Sequence, residues 1–270
     1  MVLAAVAVAI WRTDRLGAGG DHVAQLDITG ILLDDLDRTE AILRLVANDS
    51  VRALIVRIDS PGSTVVEGEN LYHAIREVAE AKPVVAVIAG TGASAGYLVA
   101  LAADHVIARG SSITGSIGVL IQTAEISELL ERLGVSAEEI KSTGLKGEPS
   151  PLTPMTLAAR AATQAVVNDM YRWFVDLVAE RRGLSPATAL QLSDGRIYSG
   201  RQAESLSLID ALGGLSEART WLLESRGMPR DLPVRDVEQV RGLSLSAGLL
   251  GIAQKTLFSE ALRLDGLLSL

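Results

Sequence analysis

The chain has 270 residues, 48% of them hydrophobic, with a net charge of −8, a pI near 5.0 and a mean hydropathy of +0.29. The length suffices for a sizeable core in one large domain or two small ones, and the hydropathy points to burial between subunits, membrane proximity, or both. The acidic balance without a long basic run argues against a nucleic-acid partner, the absence of cysteine excludes disulfides and thiol chemistry, and His22, His73 and His105 lack metal-ligand spacing.

Met1 to Trp11 is an apolar run. It is shorter than the roughly 20 residues of a membrane span and has neither a basic n-region nor a clear cleavage site. It reads as the remaining half of an N-terminal anchor or as an apolar tail covered by the fold, followed by a Gly17–Gly20 linker. From His22 onward, strand and helix patterns alternate. A strand is expected over Val23–Gly30, an amphipathic helix over Asp37–Asn48, a buried strand over Val51–Asp59 and a turn at Ser60-Pro61-Gly62-Ser63. A helix follows over Val66–Ala81, then a β-branched strand from Val84, the turn Gly90–Tyr97, an Ala/Leu-rich helix and a short strand His105–Ala108.

Thr114–Val119 is a glycine-punctuated turn into a further strand, Ala124–Leu133 reads as a helix, and Ile140–Lys146 as a strand entering a polar loop. Pro154–Arg182 is a long helix, and Asp194–Ala203 a turn leading into a short one. Beyond Pro233 the pattern weakens, and Leu243–Leu270 is apolar with scattered charges. Strand, turn and helix thus recur about every 30 residues, the rhythm of an α/β protein with mostly parallel strands. The rhythm fits a doubly wound sheet and a crotonase or Clp-type spiral equally. The expected division is an anchor and linker over 1–20, a main domain over 21–228 and an extension over 229–270.

Ser94 sits among small residues at a strand-to-helix turn. Small neighbours admit another backbone closely, and a helix N-terminus offers unpaired N–H groups to an oxyanion. The same serine also suits an ordinary N-cap. As a nucleophile it needs a base. His105 beside Asp104 is one option, although it begins an apolar strand and is more simply structural. Lysine is the other. A free lysine with a pKa of about 10.4 is neutral in about one molecule in 2,500 at pH 7, and lowering it by three units takes roughly 4 kcal/mol, which an apolar pocket can supply. Lys146, beside Gly144 and Leu145, is placed to occupy such a pocket; a solvated loop lysine is the alternative.

At these residues the chain resembles the bacterial signal peptide peptidase A family, membrane-anchored serine–lysine peptidases. The resemblance spans about Val23 to Glu217 and rests on Asp59-Ser60-Pro61-Gly62, Ala93-Ser94-Ala95-Gly96-Tyr97, Thr114–Val119, Ser142–Lys146 and Gly195–Gly200 in order. It implies Ser94 as nucleophile, Lys146 as general base, Ser116 as the group orienting the lysine, and backbone N–H groups of Gly62 and Ala95 as the oxyanion hole. It also implies a crotonase/Clp-protease-like layered fold and no cofactor. A ring of protomers is implied too, with Lys146 reaching the Ser94 of the next chain.

Two positions depart from the family pattern, which has glycine where Ser63 and Ala95 stand. At Ala95 a β-carbon is costly if the residue takes a positive φ, and it would also narrow the substrate channel. The expected activity is endopeptidase cleavage of remnant signal peptides and other hydrophobic membrane-derived peptides. The expected location is the bacterial inner membrane, with the catalytic part outside the cytoplasm. Two alternatives share the fold rhythm: a crotonase-type acyl-CoA hydratase or isomerase, and a membrane scaffold that has lost turnover.

Overall fold

The computed structural model describes residues 20–237; the Met1–Trp11 run and the chain beyond 237 lie outside that span. Two apolar segments form its centre, β2 (Val51–Ser63) and β3 (Val84–Ala93). Side chains alternate across a strand, and here both faces are covered. Leu54, Val56, Ile58, Ala86 and Ile88 enter the larger core layer, whereas Ala53, Ile55, Val85 and Val87 enter the smaller one. Two-sided burial is why these segments read as unbroken apolar runs, as parallel strands covered by helices do.

The described residues form one eight-stranded sheet. β1 (His22–Leu32) pairs with β2, and β8 (Val234–Asp236) pairs with β1, so part of the expected C-terminal extension lies in the sheet. Beyond β3 the sheet forks. The first half of β3 pairs with β4 (His105–Ala108), which carries β7 (Ala211–Leu212). The end of β3, Thr91–Ala93, pairs instead with β5 (Ile113–Gly115), which carries β6 (Ile197–Ser199). Every pairing is parallel except β5 with β6. This is the layered α/β architecture expected from the sequence.

The helices begin where capping residues stand. Asp35 accepts the Arg38 N–H at the start of α1 (Leu36–Ala47), and Thr64 accepts the Glu67 N–H at the start of α2 (Val65–Ala81). α3 (Ala95–Ala100) is wholly buried. α4 (Ser127–Arg132) buries none of its residues. α5 (Leu157–Arg182) buries Phe174, Val175, Leu177 and Val178 in its C-terminal half, while Leu157 at its start is 87% exposed. α6 (Pro186–Leu192) and α7 (Gly200–Ser205) follow, and α8 (Leu215–Arg226) covers the smaller core layer with Ala218 and Leu222.

Several expectations need correction. β2 and β3 run past the motif turns, because the end of β2 pairs with β1 through Ile31↔Gly62 and Leu32↔Ser63, and the end of β3 finds β5. The expected strand over 140–146 is instead a set of bends and a turn closed by the Lys146 N–H to the Thr143 carbonyl; Ile140 is 95% exposed, and no strand of the described residues lies beside it to complete a ladder. The helix expected from Ala124 starts only at Ser127, and the strand expected at Val119 is absent from the described residues.

His105 is structural. Its ring stacks on Trp221 at 4.9 Å, and its Nδ1 lies 3.7 Å from Asp210, which a guanidinium fork from Arg182 holds at 2.7 and 3.0 Å. Burial would raise the Asp210 carboxyl, but Arg182 and the Val106 N–H outweigh it and hold the pKa below the usual carboxylate value. A depressed folded-state pKa stabilises above the unfolded value of about 4 and is lost as pH falls through the folded value. Asp210→Ala is therefore expected to lower unfolding free energy by about 2–4 kcal/mol at pH 7. In denaturant titrations the gap from the native protein should close below about pH 4.

Candidate active site

The fork in the sheet creates the site. As the end of β3 leaves β4 for β5, it carries Ser94 to a cleft of about 520 Å³. Gly62 and Ser63 from the end of β2 line it, with Ser116 and Gly118 after β5, and Gly195 before β6. Ile31, Val65, Val119 and Leu120 supply an apolar lining. Motifs far apart in sequence therefore converge because three strand ends meet.

Ser94 has φ 53° and ψ −122°. These angles are those of the first central position of a type II′ turn, a conformation that favours glycine. Ser116 across the cleft also has a positive φ, of 50°. Such conformations cost of order 1–3 kcal/mol each and gather where function requires them. Ser94 occupies the N-cap position of α3, yet its hydroxyl makes no capping hydrogen bond; the ordinary-cap reading does not account for it. Its backbone is held by the Ser94 N–H donating at 2.8 Å to the carbonyl of Gly115, the residue before Ser116.

Gly62 has φ +134°, and a β-carbon there would lie 3.2 Å from Ser94 Cβ and 3.5 Å from the Ala95 nitrogen. The two amides expected to form an oxyanion hole thus flank the same hydroxyl-bearing residue. The Ala95 N–H, in the first turn of α3, has no intrahelical acceptor. The Gly62 N–H donates to the buried Ser60 hydroxyl at 3.2 Å, a long contact to a neutral acceptor. A negatively charged oxygen competes well against it.

The two departures from the family pattern are accommodated. Ala95 is helical and absent from the positive-φ residues, so its β-carbon carries no strain; it is buried against Gly68 of α2, where a β-carbon would come within 2.9 Å of it. It does not line the cleft, so the expected narrowing of the channel does not arise there. Ser63 lines the cleft without a positive φ and donates its hydroxyl to the Thr64 carbonyl at 2.6 Å.

Lys146 is the predicted residue that the fold leaves out. It is exposed and outside the lining of this cleft, in the largely irregular stretch between β5 and α5. The apolar pocket expected for it is not formed by the described residues. Lys141, on the same stretch, is held by Glu139 and Glu148 at 2.9 Å each, and these carboxylates raise its pKa. Burial pushes the Lys82 ammonium down, but Lys82 precedes β3, whose ten residues separate it from Ser94 by about 30 Å. It donates to the carbonyls of Leu45 and Asn48.

The sequence reading missed Ile31 and Val65 as cleft residues. Their only signal was position at the end of a strand and the start of a helix facing the Gly62 turn.

Fold and cleft together define an α/β protein with a strained, uncapped serine lining a cleft next to Gly62, an arrangement that suits an acyl-transfer hydrolase. Residues 76–228 match peptidase family S49. A Synechocystis sp. protein with a provisional protease designation is 35% identical over 210 residues, covering 77% of this chain and 76% of that protein. The chain therefore belongs to peptidase family S49, among relatives that include signal peptide peptidase A proteins. The chloroplastic serine protease SPPA of Arabidopsis thaliana is 34% identical over 75% of this chain, which spans only 30% of that protein. In fold, a substituted form of a membrane-bound stomatin-specific protease superposes with a TM-score of 0.56 at 14% identity, covering 82% of this chain and 99% of that one.

Proposed function

We propose that this chain is a serine endopeptidase that cleaves apolar peptides, such as signal-peptide remnants, with Ser94 as nucleophile and Lys146 as general base. The observation that carries this reading is the pairing of two positive-φ serines, Ser94 and Ser116, across one cleft beside the Gly62 and Ala95 amides. Ser94 Oγ attacks the scissile carbonyl while the neutral lysine amine takes its proton. The oxyanion is received by the Gly62 and Ala95 N–H groups. Collapse of the tetrahedral species passes the proton to the leaving amine and leaves an acyl-enzyme, which water then hydrolyses. Ser116 hydrogen-bonds the lysine amine and sets its direction. The lining residues Ile31, Val65, Val119 and Leu120 favour apolar substrate side chains.

Because Lys146 stands on an exposed stretch, the reading requires Lys146 of the partner subunit to complete the cleft. That stretch is unusually apolar at its surface: Leu120, Leu129, Leu133, Val135, Ile140 and Leu145 are all exposed. Exposed apolar side chains gathered on one stretch of chain support a contact with another chain, and a homo-oligomeric ring supplies it. No helix among the described residues is long and apolar enough to cross a membrane. The proposed attachment to the bacterial inner membrane, with the catalytic part outside the cytoplasm, rests on the apolar Met1–Trp11 run.

A serine-directed fluorophosphonate tests the nucleophile. Peptide mass mapping is expected to find the label on Ser94 and none in Ser94→Ala. A label on a different serine, or none on the intact oligomer, overturns the assignment and favours a scaffold without turnover.

A further inference from the structure

We propose that Asp59 is a positioning residue that sets the register between the strand carrying the Gly62 amide and the strand carrying Ser94. The proposal builds on the catalytic reading above. The main-chain ladder between β2 and β3 runs regularly from Leu54↔Val84 to Ile58↔Ile88, then shifts, so that Ser60 faces Gly92. At that break the exposed Asp59 carboxylate accepts the Thr91 N–H at 2.9 Å and takes over the connection. Gly90 makes room for it, since a β-carbon there would lie 2.6 Å from Asp59 Oδ1. From the other side, the Thr114 hydroxyl donates to the Gly92 carbonyl at 2.7 Å and the Ser112 hydroxyl to the Ile88 carbonyl at 2.9 Å.

The last residues of β3 before Ser94 are thus held by side chains from both neighbours, at the point where the strand changes partners. A register slip of one residue moves Ser94 by about 3.3 Å relative to Gly62. Misplacement of even about 1 Å costs on the order of 10²-fold in rate. Asp59 touches no reacting atom in this scheme. It acts through Thr91 on the distance between the hydroxyl and the oxyanion-hole amide, which affects the transition state more than substrate binding.

Steady-state kinetics on an apolar peptide, with Thr91 amide hydrogen exchange on the same samples, test this. Asp59→Ala is expected to lower kcat about 10- to 100-fold with KM changed less than about twofold, and to speed Thr91 exchange. Asp59→Asn keeps an acceptor oxygen and should stay within about threefold of native kcat. Gly90→Ala, which leaves the carboxylate in place but displaces it, should lose as much as Asp59→Ala and add nothing to it in the double variant. It carries the test alone if Asp59→Ala does not fold. Native kcat in Asp59→Ala or Gly90→Ala, an equal loss in Asp59→Asn, or additive losses in the double variant overturn the proposal. Full activity in Ser94→Ala would instead sink the catalytic reading, and the exchange measurement would still report on the clamp.

Discussion

Ser94→Ala is expected to lower kcat/KM for an apolar peptide by at least about 10⁴-fold, with the fold and oligomer intact. The size follows from the role. Without the hydroxyl no acyl-enzyme forms, and only the residual effect of binding and the two amides remains. The fold should survive because the Ser94 hydroxyl caps nothing and its backbone N–H still reaches the Gly115 carbonyl. Alanine at φ 53° bears the same strain as serine. Ser94→Gly removes that strain and is expected to be equally inactive yet about 1 kcal/mol more stable. A thermal or denaturant melt beside the activity assay separates the two effects. An active Ser94→Ala enzyme would end the serine mechanism.

Lys146→Ala is expected to lose a comparable factor, and Lys146→Arg to be no better, since arginine stays protonated. Lys141→Ala should keep kcat within about threefold, because the Glu139 and Glu148 carboxylates already hold the Lys141 ammonium charged. Lys82 stands at the far end of β3, so it cannot substitute. If the base comes from a neighbouring protomer, co-assembled Ser94→Ala and Lys146→Ala chains should recover about a quarter of native activity, since one site in four then pairs an intact serine with an intact lysine. Undiminished turnover in Lys146→Ala would remove lysine from the mechanism; mixed chains that stay inactive would remove the shared site.

The secondary-structure boundaries that the sequence reading placed well are those set by local chemistry. β-Branched runs after Pro83 and around Leu54–Ile58 became strands, and Asp35 and Thr64 started helices near the expected points. It failed where an element depends on what lies beside it. Residues 140–146 have strand-like composition but no strand of the described residues alongside, so their polar backbone turns elsewhere. Thr91–Ala93 looked like a turn and became strand because β5 offered a ladder.

For the site, a serine among small residues after a buried strand is a local pattern that marked Ser94, whereas Ser116, Gly62 and Ala95 were implied only by the family resemblance of their motifs. That they meet is a matter of topology: strand ends from β2, β3 and β5 converge only because β3 changes partners at the fork. The positive φ of Ser94, the buried fit of Ala95 against Gly68 and the Asp59 bond to Thr91 belong to that convergence and have no local signature. Composition by itself had already narrowed the chemistry, because a chain with no cysteine, three histidines and four lysines offers few nucleophile–base pairs. Tertiary packing decided the rest. It buried the serine turn and left Lys146 in solvent, because core-forming side chains surround the one and an apolar stretch without a partner inside the described fold carries the other.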